Sequence, residues 1–300
     1  MHKLKDYTHS FSWKSLRLDW EQVLSELKGF GVSPKVDIWP STEWFCPDGV
    51  AGIAVPFYLY NKSLQNKLKK YGLRVEGATK KERLKLLRHE LAHALDNIYG
   101  LRMLKKRQEL FGVNSKSYPH TFTPIFDSGS NYVNHLDETY GQSHPSEDWA
   151  ETMAYIIGGG KISELKGNAK NKAIYVLEVL QSLKFRRQRK CLKCRPDELS
   201  TDMRSIEEFI QEKQNEEIFT PFNNFSKKVN HLHEEKGELI EEILPKPDLP
   251  SWVLENIMNI CRATKVTVNP QSRKTKNFID EVINSSSKNW KQWGVDKVVL

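Results

Sequence analysis

The chain has 300 residues, a length that suggests two domains or one large domain with an appendage. Its side chains are 38% hydrophobic and 10% aromatic, which is enough to build a core. Its longest uncharged apolar stretch, residues 49–59, is too short to span a bilayer, and residues 1–6 lack the apolar segment of a signal peptide. These features argue against a membrane protein and against secretion, so we expect a cytoplasmic location.

The net charge of +8 is unevenly distributed along the chain. Residues 62–107 contain 14 Lys/Arg and 4 Asp/Glu, residues 108–160 contain 1 and 7, and a second basic run covers residues 184–190. Basic segments attract nucleic acids or acidic partners, although most of them are simply solvated helix faces. Nucleic-acid binding therefore stays open as an alternative function.

The first predicted elements are a helix over residues 14–28 and strands over residues 35–39 and 53–59. Between the strands, Cys46-Pro47-Asp48-Gly49 favours a turn. Pro56 has no backbone N–H to donate, so the second strand is expected at the edge of a sheet.

The best-marked helix lies between Thr79 and Gly100. Thr79 with Glu82 three residues later forms a capping box, and the glycine is a typical C-terminal stop. One stripe of apolar residues recurs at helical spacing and should face the core: Leu84, Leu87, Leu91, Leu95 and Ile98. His89 and His93 lie one turn apart on roughly the opposite side, outside this packing stripe.

A turn-rich stretch over residues 112–140 follows. The next helix is predicted to begin at Pro145, a favoured first-turn residue, and to stop at Gly158-Gly159-Gly160. A further helix is predicted over residues 169–189, so that it ends in the basic run.

Beyond residue 190 the composition shifts towards Lys, Glu and Asn, with helical patches over residues 205–217, 225–244, 251–261 and 277–285. We therefore predict one domain over residues 1–190 and a helical C-terminal appendage of unassigned role over residues 191–300.

The four cysteines do not form the dense framework of a small secreted domain. Cys46 and Cys261 are isolated, and Cys191 and Cys194 form a single CxxC pair. A zinc ribbon would need a second pair, so free thiols in a reducing compartment are expected.

The sequence His89-Glu90-Leu91-Ala92-His93 places an HExxH pattern on the best-marked helix. Residues i and i+4 share one helix face, so both imidazoles can reach one metal ion while Glu90 stands beside the attacking water as general base. Zinc lowers the pKa of water and polarises a carbonyl group, which is the chemistry of peptide hydrolysis. The alternative is a solvated helix with two incidental histidines.

A catalytic zinc needs a third protein ligand and one open position. The metzincin continuation is excluded, because Asp96 and Tyr99 stand where that pattern has Gly and a ligand. A second helix supplies Glu147 and Glu151 at i and i+4, with Asp148 turned about 100° away.

This spacing suggests Glu147 as the third ligand and Glu151 as the acceptor for a histidine N–H behind the metal. The alternative for this acidic pair is a solvated first turn, where carboxylates are favoured by the helix dipole.

At these residues the chain resembles a family of bacterial zinc-binding metallopeptidases, over about residues 36–194. The resemblance is carried by four stretches: residues 44–49 (WFCPDG), 53–59 (IAVPFYL), 88–94 (RHELAHA) and 144–152 (HPSEDWAET). It implies an α+β fold of the zincin (gluzincin) type, in which a small sheet packs on the HExxH helix. It also implies one zinc ion (Zn2+) per chain, and it gives no substrate.

A more distant resemblance is to lethal-factor-type peptidases, which place Tyr-Gly seven residues before the ligand glutamate. Tyr140-Gly141 stands at that distance from Glu147. The resemblance implies that Tyr140 hydrogen-bonds the developing oxyanion. A plain loop tyrosine is the alternative.

We predict a zinc-dependent peptidase acting on a protein or peptide. Zincins bind peptides along an edge strand by backbone pairing, and residues 53–59 are the candidate, with an ordinary core strand as the alternative. Two other functions stay open. One is a nucleic-acid-associated protein that processes DNA-bound proteins, and the other is an inactive module that keeps the zinc.

Overall fold

The computed structural model describes residues 3–73, 75–114, 131–136 and 140–216. The chain divides into two compact units, Met1–Glu212 and Lys213–Leu300. Almost all described residues belong to the first unit, which combines helices with a small parallel sheet. The predicted helical patches beyond residue 217 lie outside the described residues.

The first helix, α1 (Trp13–Lys28), is followed by strands β1 (Asp37–Ser41) and β2 (Gly52–Pro56). The two strands pair in parallel with Ile38 opposite Ile53. The helix is close to its predicted bounds, whereas β1 begins two residues later than predicted and β2 ends earlier. The chain leaves β2 in a turn in which Leu59 donates a backbone hydrogen bond to the carbonyl of Pro56.

The outer edge of β2 is covered at its centre. Ala54 exchanges both backbone hydrogen bonds with Phe45, at 2.9 and 3.4 Å, and all five residues of the strand are buried. Pro56 adds no donor. The structure therefore favours the core-strand alternative over a substrate-binding edge at this strand.

Two helices follow, α2 (Lys62–Lys70) and α3 (Lys80–Tyr99). The predicted capping box of α3 is confirmed, with both reciprocal bonds between Thr79 and Glu82. The predicted stop is confirmed as well, because Gly100 has a left-handed backbone (φ 62°) that favours glycine. The predicted apolar stripe of α3 is buried in the core.

The remaining helices are α4 (Lys105–Phe111), α5 (Pro145–Ile157), α6 (Gly167–Leu183) and α7 (Ile206–Glu216). α5 packs against both α3 and α6, and its residues 146–154 are buried without interruption. A helix buried on all sides is a core helix, which places its polar side chains in the interior of the protein.

The predicted end at residue 189 of the helix over residues 169–189 is wrong, because α6 stops at Leu183. Residues 184–190 run over the surface as an exposed segment rather than as a helix face. The reason is tertiary: the Arg189 N–H donates to the carbonyl of Ile98 at 2.7 Å, which draws the chain across the C-terminal end of α3.

Residues 191–212, which the sequence analysis assigned to the appendage, fall within the first compact unit. Leu4 donates a backbone hydrogen bond to Arg204 at 2.8 Å, and the ring of Phe209 lies 5.4 Å from that of Phe57. The helix predicted over residues 205–217 is confirmed as α7.

Of the helices in the described ranges, none has both the length and the apolar run needed to cross a bilayer. Within the same ranges Cys46, Cys191 and Cys194 form no disulfide, and Cys261 lies outside them.

Candidate metal centre

Helices α3 and α5 bring His89, His93 and Glu147 into one group that could hold a metal ion. The Nε2 atom of His89 lies 3.0 Å from Glu147 Oε2 and 3.2 Å from His93 Nε2. The third side of this triangle, from His93 Nε2 to Glu147 Oε2, is 3.3 Å. Three donor atoms from two helices therefore converge on one point.

The size of the triangle fits zinc. Zinc binds imidazole nitrogen and carboxylate oxygen at about 2.0–2.2 Å, so a tetrahedral ion separates neighbouring donor atoms by about 3.3–3.6 Å. The observed separations of 3.0–3.3 Å reach this value with a widening of a few tenths of an ångström. Two imidazoles and one carboxylate are also a donor set that zinc prefers.

The group is deep but not closed. The side chains of His89 and Glu147 are 2% and 7% exposed, whereas that of His93 is 16% exposed. His93 is therefore the most solvent-exposed of the three residues. Catalytic zinc sites differ from structural ones in keeping one coordination position open.

Glu151 binds the other ring nitrogen of His89. Its Oε1 atom lies 2.9 Å from His89 Nδ1, which leaves Nε2 for the metal group. Its Oε2 atom accepts backbone hydrogen bonds from His135 at 2.9 Å and Leu136 at 2.8 Å. Because Glu151 and Glu147 are both buried, the alternative of a solvated first turn is wrong.

The buried charges shift one another's pKa values in the metal-free protein. Burial lowers the pKa of His89, but its hydrogen bonds to Glu147 and Glu151 outweigh burial and raise it to about 10. Burial would raise the pKa of Glu147, yet the two histidines hold it well below its usual range. Without a metal, a proton on His89 therefore supplies the positive charge between the two carboxylates.

Glu90 lies beside this group on α3 and is buried. Burial raises the pKa of its carboxyl group, while the charges of His89 and His93 oppose that rise. A carboxylate with a raised pKa in a site of low polarity is better suited to accept a proton than one in open water.

Tyr140 lies at the rim of the group. Its ring centre is 5.4 Å from that of His89, and the side chain is 44% exposed. The backbone after it packs closely: a Cβ atom at Gly141 would lie 3.4 Å from the Cα of Asp148 and 3.7 Å from the Glu151 side chain. The tyrosine is therefore beside the metal group and partly exposed to solvent.

Three residues around the site were not predicted from the sequence: Lys172, Lys85 and His135. Lys172 of α6 binds Asp148 at 2.6 Å; Asp148 points away from the metal group, as the spacing predicted, and is buried. Lys85 and His135 contact each other through side-chain to backbone hydrogen bonds in both directions. These partners lie 24 to 50 residues apart, and no local pattern marks such pairs.

A family model described as "Putative zinc-binding metallo-peptidase" matches residues 79–245, which is more than half of the chain. The match begins at the N-cap of α3 and includes α5, so it contains all three donor residues. Neither the curated proteins nor the solved structures include a significant match.

Proposed function

Because the chain belongs to this zinc-binding metallo-peptidase family, we propose that it hydrolyses peptide bonds at one zinc ion per chain held by His89, His93 and Glu147. The observation that carries the proposal is the triangle of donor atoms, 3.0–3.3 Å on a side. The presence of the third ligand candidate on a second helix supports our expectation of a zincin of the gluzincin type.

Different residues have different roles in the proposed reaction. Zinc, when bound, polarises the scissile carbonyl and makes water acidic enough to react near neutral pH. Glu90 accepts the proton of the attacking water and returns it to the leaving amine, so one carboxyl group serves first as base and then as acid. Glu151 keeps the His89 ring in a single orientation while this happens.

Tyr140 is proposed to donate a hydrogen bond to the oxygen that becomes negative as water adds to the carbonyl. Its exposed position beside His89 supports this role. A donor that is already in place stabilises the transition state without reorganisation, and loss of such a donor typically lowers kcat about 100- to 1,000-fold.

The test compares the wild type with Glu90→Gln in two measurements: the zinc content of the purified protein and the cleavage of a proteome-derived peptide library. We expect one equivalent of zinc in both proteins and cleavage by the wild type alone. Loss of zinc from the variant would show that Glu90 is a ligand rather than the base. Zinc without any cleavage by the wild type would favour the inactive zinc-holding module.

A nucleic-acid-associated function is the second candidate, favoured by the exposed basic segment 184–190. It ranks lower because several cations of the other basic region have partners: Arg83 binds Asp19 at 2.7 Å and Arg107 binds Asp96 at 2.8 Å. A steep loss of DNA affinity with added salt would support this function, and absence of binding at low salt would exclude it.

A further inference from the structure

Residues 131–136 are attached to the metal site at one end of the segment. The backbone N–H groups of His135 and Leu136 both donate to Glu151 Oε2, whose other oxygen contacts His89. The same end is bound to α3, because Lys85 donates to the His135 carbonyl and His135 Nε2 contacts the Lys85 carbonyl at 3.1 Å. One carboxylate thus holds both a metal-site histidine and this segment.

The other end of the segment is attached through Lys172. The Lys172 ammonium donates to the Asn131 carbonyl at 2.8 Å and to Asp148 Oδ2 at 2.6 Å. It also lies 4.5 Å from the centre of the Tyr132 ring. The side chains of Lys172 and Asp148 are only 8% and 4% exposed.

Removing a partner from a buried ammonium is strongly destabilising, so the anion, the carbonyl and the aromatic face around Lys172 all favour its present position. Lys172 therefore fixes the start of the segment relative to α5, the helix that carries Glu147 and Glu151. Lys172 is not one of the three donor residues of the metal group.

We propose that Lys172 is a positioning residue that couples the order of residues 131–136 to zinc binding. The inference rests on the proposed zinc site. When the segment is in place, its two N–H groups hold Glu151 so that Oε1 stays on His89 Nδ1. When the segment detaches, Glu151 loses two hydrogen-bond donors, and the His89 ring loses its orientation for the metal.

Coupling of this kind is reciprocal. If an ordered segment strengthens zinc binding by a given factor, zinc strengthens attachment of the segment by the same factor. The effect of the segment on zinc affinity and the effect of zinc on attachment of the segment can be measured separately. If Lys172 contributed only to stability, neither effect would be expected.

The experiment uses the full-length protein and zinc alone. Zinc affinity is measured by chelator competition, and hydrogen exchange of the His135 and Leu136 amides is measured with and without zinc. The variants are Lys172→Met, the conservative Lys172→Arg, and Tyr132→Leu, which loosens the segment but leaves the Lys172–Asp148 pair intact. Lys170→Met, at an exposed position on the same helix, is the matched control.

In the wild type, zinc should slow exchange of both amides. Lys172→Met should weaken zinc binding roughly 2- to 30-fold and reduce that protection, Tyr132→Leu should act in the same direction, and Lys172→Arg should restore part of the affinity. Lys170→Met should match the wild type.

Folded Lys172→Met and Tyr132→Leu proteins with wild-type zinc affinity and wild-type amide protection would overturn the inference while leaving the zinc site intact. If Lys172→Met does not fold, Tyr132→Leu alone decides between these results. A wild type that binds no zinc would instead contradict the proposed function, and with it this inference.

Discussion

His89 contacts a carboxylate at each ring nitrogen, Glu147 at Nε2 and Glu151 at Nδ1. In the metal-free protein this arrangement favours the protonated ring and raises its pKa to about 10. A histidine that binds a metal through Nε2 must give up that proton. Proton release and metal binding at this residue are therefore linked.

The first prediction concerns pH. At pH 7 His89 is protonated in the metal-free protein, so zinc binding should release close to one proton from it. Apparent zinc affinity should then keep rising with pH above about 6.5, the ordinary pKa of histidine, instead of levelling off there. Calorimetric titrations in buffers of different ionisation enthalpy count the released protons. No release at pH 7 would contradict the pairing of His89 with two carboxylates.

The raised pKa of His89 also makes the stability of the metal-free protein depend on pH. Because folding raises the pKa of His89, the stability it contributes is fully present below about pH 6.5. That contribution is lost as the pH rises towards about 10.

The second prediction concerns the number of ligands. His93→Ala should remove stoichiometric zinc, because two remaining protein ligands rarely hold zinc in a catalytic site. Metal analysis after dialysis measures this directly. His9→Ala removes an exposed histidine elsewhere and should keep the full equivalent. A full equivalent of zinc in the His93 variant would show that the ligand set is a different one.

The third prediction ranks the two glutamates of α5. Glu147→Gln should nearly abolish zinc binding, whereas Glu151→Gln should weaken it by about 10- to 100-fold, as loss of a hydrogen-bond partner behind a ligand histidine typically does. Chelator competition on both variants gives the order. If Glu151→Gln proves the more damaging of the two, the carboxylates have exchanged roles.

At the scale of elements, α3 owes its N-terminal end to local chemistry that is independent of the metal group. The Thr79 side chain accepts from the Glu82 N–H at 3.2 Å, and Glu82 accepts from the Thr79 N–H at 3.1 Å. His89 follows ten residues later, or about 15 Å along the helix axis.

The fourth prediction follows from that separation. Thr79→Ala should lower the free energy of unfolding by about 0.5–2 kcal/mol and leave zinc affinity unchanged. Thr79→Ser keeps the hydroxyl group and should lose much less stability. Denaturant melts with a parallel zinc titration test both statements, and a change in zinc affinity for the alanine variant would show that helix fraying reaches the site.

Two other elements, α2 and β2, show what the analysis of local sequence patterns missed. The helix α2 was not predicted, although Asn61 caps it by accepting from the Leu64 N–H at 3.0 Å. The strand over residues 53–59 was predicted at a sheet edge because of Pro56, and β2 does lie at the edge of a two-stranded sheet. That reasoning did not anticipate that Phe45, from the preceding loop, would pair with Ala54.

At the scale of the whole molecule, the first compact unit depends on residues beyond the predicted boundary at 190. Leu199, Ile206 and Phe209 are buried, and the last contacts the ring of Phe57. Loss of one large buried side chain costs about 2–5 kcal/mol. Domains are stable by about 5–15 kcal/mol in total, so loss of three is enough to unfold one.

The fifth prediction is a comparison of two truncations. A chain ending at residue 216 should melt cooperatively and bind zinc, whereas a chain ending at residue 190 should do neither. Circular dichroism melts and metal analysis on both proteins provide the test. Cooperative melting of the shorter chain at the temperature of the longer one would support the predicted boundary at residue 190.

The sequence by itself determined the features that depend on local spacing. The ends of α3 follow from a capping box and a glycine, and the pairing of His89 with His93 follows from the helical repeat. Membership of the metallo-peptidase family was also predictable, because its motifs are contiguous stretches. The convergence of Glu147 on the two histidines was suggested by spacing on α5, but spacing alone does not bring two helices together.

The tertiary structure decided the contacts that join distant parts of the chain. The Lys172–Asp148 pair, the attachment of residues 131–136 to Glu151 and the end of α6 all depend on partners that are distant in sequence. A buried charge takes whichever partner the packing places beside it, because leaving it unpaired costs more free energy than any local preference provides. Local patterns therefore pointed to the three residues that the structure brings together, His89, His93 and Glu147, and packing decided how they are held.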